Sequence, residues 1–124
     1  MNRIVIYCRV STEDQGRYGH PLDRQERLCR EWASLNGYVV VKVFREDYTG
    51  TVIDRPMLNQ AFALLENEEA DGLICHVDDR LSRKLAHRIL LREELFRMGK
   101  ELIFQNSGKV SNNPDDIFTD NIRN

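Results

Sequence analysis

Ile4-Val5-Ile6-Tyr7-Cys8-Arg9-Val10-Ser11-Thr12-Glu13-Asp14-Gln15 decides how this chain folds. The segment through Val10 is β-rich, with neither glycine nor proline and without the polar alternation of a half-exposed strand. Such a run suits a strand covered on both faces, which is the habit of parallel sheets flanked by helices. Polarity changes abruptly at Ser11, so the strand exits there. Arg9 lies inside the apolar run, and a buried arginine needs partners. A hydroxyl two residues after a fixed guanidinium is the first chemical signal in the chain.

The pattern outside this strand repeats its logic. Leu28, Trp32 and Leu35, with Cys29 and Ala33 beside them, have helical spacing that stops at Asn36-Gly37. Tyr38 to Phe44 predicts a second strand, and Arg45 to Thr51 a polar loop. Asp54 is a plausible N-cap with Pro56 in the first turn, ahead of the apolar face Leu58, Ala61, Phe62, Leu65. Gly72 to Val77 predicts a third strand, left by Asp78-Asp79-Arg80-Leu81-Ser82-Arg83. A helix bearing Leu85, Ile89, Leu95 and Phe96 follows and closes at Met98-Gly99. Glu101 to Gln105 predicts a fourth strand, and the chain then reads as polar until Ile117 to Asn124, which resembles the first turns of another helix. Strands alternating with helices predict an α/β three-layer sandwich around a central, mostly parallel sheet of four to five strands.

Composition narrows the function classes. The 124 residues fit one domain, and 41% hydrophobic with 31% charged residues fits a soluble globular protein. No apolar run approaches the roughly 20 residues that span a bilayer, and no signal peptide is evident, so no membrane partner and a cytoplasmic location are expected. Cys8, Cys29 and Cys75 form neither a Cys-x-x-Cys pair nor a Cys/His cluster, so a zinc site is not expected. Cys8 and Cys75 read as small buried thiols. The net charge is −2, yet 14 of the 18 basic residues are arginine. Arginine offers a planar fork that matches phosphate, whereas lysine is a flexible point charge. The charge balance alone predicts a weak grip on duplex DNA.

In open α/β sheets, functional groups collect beyond the C-terminal ends of the strands. That rule brings Ser11, Asp47, Asp79, Arg80 and Arg83 toward one rim, with Arg55 at a helix start able to reach it. Attack on a phosphodiester spreads negative charge over the non-bridging oxygens, and fixed arginines stabilise that charge. Serine is a weak nucleophile and needs activation; clustered guanidiniums favour the developing alkoxide without a histidine. Other readings stand beside this one. Ser11 and Thr12 also suit a turn or cap. Arg80 and Arg83 also suit a solvated helix start with Ser82 as its N-cap. Tyr7 suits a core aromatic with a hydrogen-bonded hydroxyl. His20, His76 and His87 are scattered and take no role. A Gly-x-Ser-x-Gly hydrolase is disfavoured because Ser11 has no flanking glycine. A Mg²⁺-dependent phosphoesterase would use Asp14, Asp47 and Asp79.

Four stretches in order carry a resemblance. Tyr7, Arg9, Val10, Ser11 and Thr12, then Leu22-Asp23-Arg24-Gln25, then Asp54-Arg55-Pro56, then Asp79-Arg80-Leu81-Ser82-Arg83 resemble the serine recombinases, the family of resolvases, invertases and serine integrases. The resemblance covers almost the whole chain, as one N-terminal catalytic domain over residues 1–124. It implies that Ser11 attacks a DNA phosphodiester to give a 5′-phosphoserine link and a free 3′-hydroxyl. Arg9, Arg80, Arg83 and Arg55 would surround the scissile phosphate, with Tyr7, Gln15, Gln25 and Asp79 in support. Asp79 would either orient an arginine or handle a leaving-group proton. The resemblance implies double-stranded DNA at a specific site as partner, self-association to dimer and tetramer, and no metal or other cofactor. The family's long dimerisation helix and DNA-binding region are not found in residues 1–124, so this stretch alone is expected to be inactive or weakly active. Asp78 departs from the family habit of an apolar or neutral residue there, and the loop from Gly16 to Pro21 has a length more like the large serine recombinases or transposases. A degenerate, non-catalytic assembly domain is the competing class; retention of Arg9, Ser11, Arg80 and Arg83 speaks against it.

Overall fold

β1 (Arg3–Ser11) lies inside the sheet, with a parallel neighbour on each side. This is why Ile4 through Val10 are all buried. The computed structural model describes residues 2–11, 21–48 and 55–111, with the backbone alone at Ser11 and Tyr48. Among these residues the sheet has five strands in the order β2-β1-β3-β4-β5. β2 (Val39–Tyr48), β3 (Gly72–Cys75) and β4 (Glu101–Phe104) run parallel to their neighbours, and β5 (Gly108–Lys109) returns antiparallel to β4. The α/β three-layer expectation stands.

Side-chain alternation along β1 divides the core. Ile4, Ile6 and Cys8 pack with Ile74 and Ile103 against Cys29 and Ala33 of α1 (Leu22–Leu35). Val5 and Tyr7 pack on the other face with Leu73, Cys75 and Leu102. That face is covered by Leu58, Ala61 and Leu65 of α2 (Pro56–Glu66), Leu81 of α3 (Asp78–Leu81) and Leu95 of α4 (Leu85–Arg97). All three cysteines are free and buried. Burial, then the nearby Glu26 charge, pushes the Cys8 thiol up to about 12, which keeps it protonated. No helix among the described residues is long and apolar enough to cross a membrane.

Several boundaries differ from the sequence expectation, each for a physical reason. β2 runs on through Arg45, Glu46 and Asp47, the expected loop, because β1 supplies parallel partners as far as Ser11 opposite Tyr48. Phe44 and Glu46 are buried while Arg45 and Asp47 are exposed, so the period of two continues through polar residues. β3 stops at Cys75, and Asp78–Leu81 forms a short helix in place of a loop. α2 begins at Pro56 with Arg55 as its N-cap, while Asp54 lies outside the described residues. The Glu46 carboxylate accepts the Met57 N–H at 3.0 Å and so caps α2 from a neighbouring strand. Leu85 is 39% exposed, whereas Leu81 of α3 is buried in the core. Part of the expected polar tail forms β5, and the expected final helix from Ile117 lies outside the described residues.

β3 and β4 approach closely at Gly72, where an added Cβ would stand 3.0 Å from the Glu101 Cβ and 3.1 Å from its carbonyl oxygen. Gly72→Ala is expected to destabilise the fold by about 1–3 kcal/mol through overpacking. The check is the urea midpoint; a variant as stable as the parent refutes the close approach.

Candidate active site

Strand order turns around at β1. The chain leaves β1 toward β2 on one side, then returns past it to β3 on the other. Ligand crevices in open α/β sheets form at such a reversal, beyond the carboxyl ends of the strands. β1 pairs with β3 only at Ile4, Val5 and Ile6, whereas its pairing with β2 continues to Ser11. Past Ile6 the two central strands part, and the β1 backbone must find other partners on that side.

Gln25 of α1 supplies them. Its side-chain oxygen accepts the Arg9 N–H at 3.1 Å, and its amide donates to the Arg9 carbonyl at 3.0 Å. The amide is fully buried and does the work of a missing strand residue. The Arg80 guanidinium also donates to the Arg9 carbonyl, at 3.3 Å.

Three guanidiniums meet in the gap. Arg9, Arg55 and Arg80 are 2%, 8% and 5% exposed, so all three charges have left bulk water. The last carbonyls of a helix have no intrahelical partner, and α3 uses its own to hold two of them. Arg9 donates to the Arg80 carbonyl at 3.1 Å and to the Asp79 carbonyl, and Arg55 donates to the Arg80 carbonyl at 3.3 Å. Arg55 also donates to the Tyr7 hydroxyl at 2.8 Å, its guanidinium carbon 5.3 Å from the Tyr7 ring centre. The Tyr7 hydroxyl donates in turn to Glu46 at 2.7 Å. Arg80 Nε lies 3.2 Å from Asp79 Oδ1, within ion-pair range but poorly aligned for a hydrogen bond.

The electrostatics follow from burial and crowding. Burial, then the guanidinium of Arg55 and those of Arg80 and Arg83, pulls Arg9 below the usual arginine range. Tyr7 moves the opposite way: burial dominates, and its hydroxyl holds its proton more tightly than a free phenol. Tyr7 therefore acts as a hydrogen-bonding core aromatic.

The fold brings Tyr7, Arg9, Gln25, Arg55, Asp79 and Arg80 into one hydrogen-bonded assembly. The Ser11 backbone ends β1 two residues beyond Arg9. Arg83 is exposed just after the α3 turn, close enough to act on Arg9 through its charge. Gln15 and Asp14 lie outside the described residues. Asp47 is exposed on β2, opposite Val10 near the carboxyl end of β1. Among the described residues no three His, Cys, Asp or Glu side chains gather as metal ligands. Two participants escape the sequence reading. Glu46 reads as loop, although the Phe44, Glu46 alternation carries the signal. His87 Nδ1 lies 3.0 Å from the Ser82 Oγ, within hydrogen-bond distance; its spacing of five residues from Ser82 gives no sequence signal.

Residues 4–122 match the family model described as resolvase, N-terminal domain. A putative DNA recombinase of Bacillus subtilis (strain 168) is 37% identical over 116 residues, covering 90% of this chain and 22% of the relative. The transposon Tn917 resolvase of Enterococcus faecalis is 36% identical over 90 residues, 73% of this chain and 42% of that protein. The chain thus spans less than half the length of these relatives. Among solved structures, the N-terminal catalytic domain of TP901-1 integrase shares the fold, with a TM-score of 0.80 at 22% identity over 98% of this chain and 92% of that one. The C-terminal catalytic domain of ISC1926 TnpA, an IS607-like serine recombinase, gives a TM-score of 0.72 at 29% identity over 98% and 78%.

Gln25→Leu is expected to strand the Arg9 N–H and to cost about 1–3 kcal/mol of stability. Amide hydrogen exchange at Arg9 should accelerate more than at Val5. Unchanged protection at Arg9 would show that Gln25 is not its partner.

Proposed function

This chain belongs to the resolvase family through its N-terminal domain, and on that premise we propose that it cuts and rejoins duplex DNA at a specific site with Ser11 as nucleophile. The observation that carries the reading is the buried assembly of Arg9, Arg55 and Arg80, gathered where β1 and β3 part and two residues before Ser11. Their N–H groups are anchored on carbonyls and the Tyr7 hydroxyl, while the charges crowd one another. A phosphodiester supplies the negative charge that relieves the crowding.

In this reading the Ser11 Oγ–phosphorus bond forms as the phosphorus–O3′ bond breaks. The serine loses its proton and the departing 3′-oxygen gains one, leaving a 5′-phosphoserine and a free 3′-hydroxyl. The reverse attack by a 3′-hydroxyl reseals the strand. One phosphodiester bond replaces another at each step, so resealing draws on no nucleotide. Arg9, Arg55, Arg80 and Arg83 stabilise the charge on the non-bridging oxygens, which is greatest in the transition state. Because Arg9 and Arg55 are held by the backbone of α3 or by Tyr7, and Arg80 by the Arg9 carbonyl of β1, little reorganisation accompanies the reaction. Asp79 orients Arg80 across their 3.2 Å contact. Gln15 and Gln25 support the strand exit. Pairing of dimers into a tetramer provides the partner strands, and the net charge of −2 leaves duplex affinity to basic surface outside this domain.

The test is a gel assay with the full-length protein and labelled duplex containing its recombination site, in EDTA. A covalent 5′-linked protein–DNA adduct is expected, and Ser11→Ala should abolish it. Arg80→Lys keeps the charge but loses the fork, and is expected to slow adduct formation by roughly 10²-fold. Cleavage that requires Mg²⁺, or an adduct that persists in Ser11→Ala, overturns the mechanism.

A further inference from the structure

We propose that Ser82 and His87 are a positioning pair that fixes the turn between α3 and α4, and with it the placement of Arg80 and Arg83 for phosphodiester cleavage. The role rests on the serine-recombinase reading above.

Ser82 is the C-cap of α3 in extended conformation, so the chain changes direction there, between Arg80 and Arg83. It does not N-cap the next helix; Lys84 occupies that place. Ser82 is only 6% exposed and is held from four directions. Its N–H reaches the Asp78 carbonyl at 3.4 Å, and its carbonyl accepts from Arg88 at 3.0 Å. Its Oγ accepts the Lys84 N–H at 3.3 Å, a local side-chain turn that leaves the hydroxyl proton to be donated elsewhere. His87 Nδ1 stands 3.0 Å from the same Oγ.

In the proposed pair the hydroxyl donates and Nδ1 accepts, so the imidazole is neutral with its proton on Nε2. The charges around the ring favour that form. Arg55 comes from the start of α2, Lys84 and Arg88 from the start of α4, and Asp78 of α3 stands 3.9 Å from Arg88. Partial desolvation of the exposed His87 ring, then the charges of Arg55 and Lys84, holds it below the usual histidine range. Protonation at Nδ1 replaces the acceptor with a donor and strands the Ser82 proton. Because the folded state lowers this pKa, the contribution is complete above the unfolded value and is lost as pH falls through the folded one.

The turn has little slack to absorb such a change. Leu81 is fully buried, and the Arg80 carbonyl two residues before Ser82 anchors both Arg9 and Arg55. Arg88 also reaches the Arg83 carbonyl at 3.4 Å, so the first turns of α4 clamp both sides of the bend. A displaced Ser82 moves the Arg80 carbonyl and the Arg83 backbone together.

Two measurements test the pair. In ¹⁵N-histidine spectra of the full-length protein, His87 should show the Nε2–H tautomer, and Ser82→Ala should raise its titration midpoint toward the usual value. Equal midpoints in the two proteins refute the bond. In single-turnover adduct formation on the recombination-site duplex, His87→Ala should slow the reaction by roughly ten- to a hundredfold with DNA affinity little changed. Alanine favours helix, so the exposed first turn of α4 should survive. His87→Asn puts an amide oxygen where Nδ1 stood and should restore most of the rate while removing the wild type's loss of rate on acidification. A wild-type rate in His87→Ala, or an Asn variant as slow as the Ala variant, overturns the pair alone. Absence of any Ser11-dependent adduct from the wild type overturns the cleavage reading and this role with it.

Discussion

A guanidinium inside an interior strand is the constraint on which the rest of this structure depends. Arg9 is buried two residues before the end of β1, and an unsatisfied buried charge costs several kcal/mol. The solution is distributed. β3 ends early so that the guanidinium has room, and α3 turns its last carbonyls toward it. α1 brings Gln25 beneath the strand to close the backbone bonds that β3 abandoned. Each adjustment is a local departure from ideal α/β geometry.

The second tier follows from the first. Once the Arg80 carbonyl holds both Arg9 and Arg55, α2 must begin close to the same point, and it does so with Arg55 as its N-cap. Glu46 then closes the assembly, accepting from the Tyr7 hydroxyl with one oxygen and capping α2 with the other. One carboxylate from the edge strand ties a core aromatic to a helix start. A buried network is stable only when all its members are satisfied, so truncating Glu46 unsettles Arg55 through Tyr7 without touching it directly.

Much of this was legible in the residues. Unbroken β-rich runs separated by helical spacing identified the parallel sheet, and Gly37 and Gly99, both in left-handed conformation, ended helices where the sequence places them. Arg9 announced itself by lying in an apolar run. What stayed hidden were events in which tertiary contacts override local polarity. Arg45-Glu46-Asp47 reads as loop because three charged residues in a row favour solvent, yet continued pairing with β1 holds them in β2. The short α3 was hidden for the same reason: Asp78, Asp79 and Arg80 look like a loop until the Arg80 carbonyl is seen to anchor two guanidiniums. The Ser82–His87 contact depends on the angle between α3 and α4, which no residue spacing encodes.

Burying like charges works against stability, and the arrangement is best understood by what it would lose if relaxed. Three exposed arginines would cost the fold little, but each would then have to be ordered and desolvated when an anion arrived. Here those costs are met during folding, by carbonyls and a phenol that neutralise hydrogen-bonding demand without neutralising charge. Carboxylates at the same places would stabilise the resting domain better, yet they would compete with a phosphate for the same guanidiniums. Carbonyl oxygens carry only partial charge, so they fix direction and leave most of the field available. Asp79 keeps to the edge of the cluster, half exposed and misaligned for a hydrogen bond with Arg80. That placement lets it steer one arginine without cancelling the field of all three.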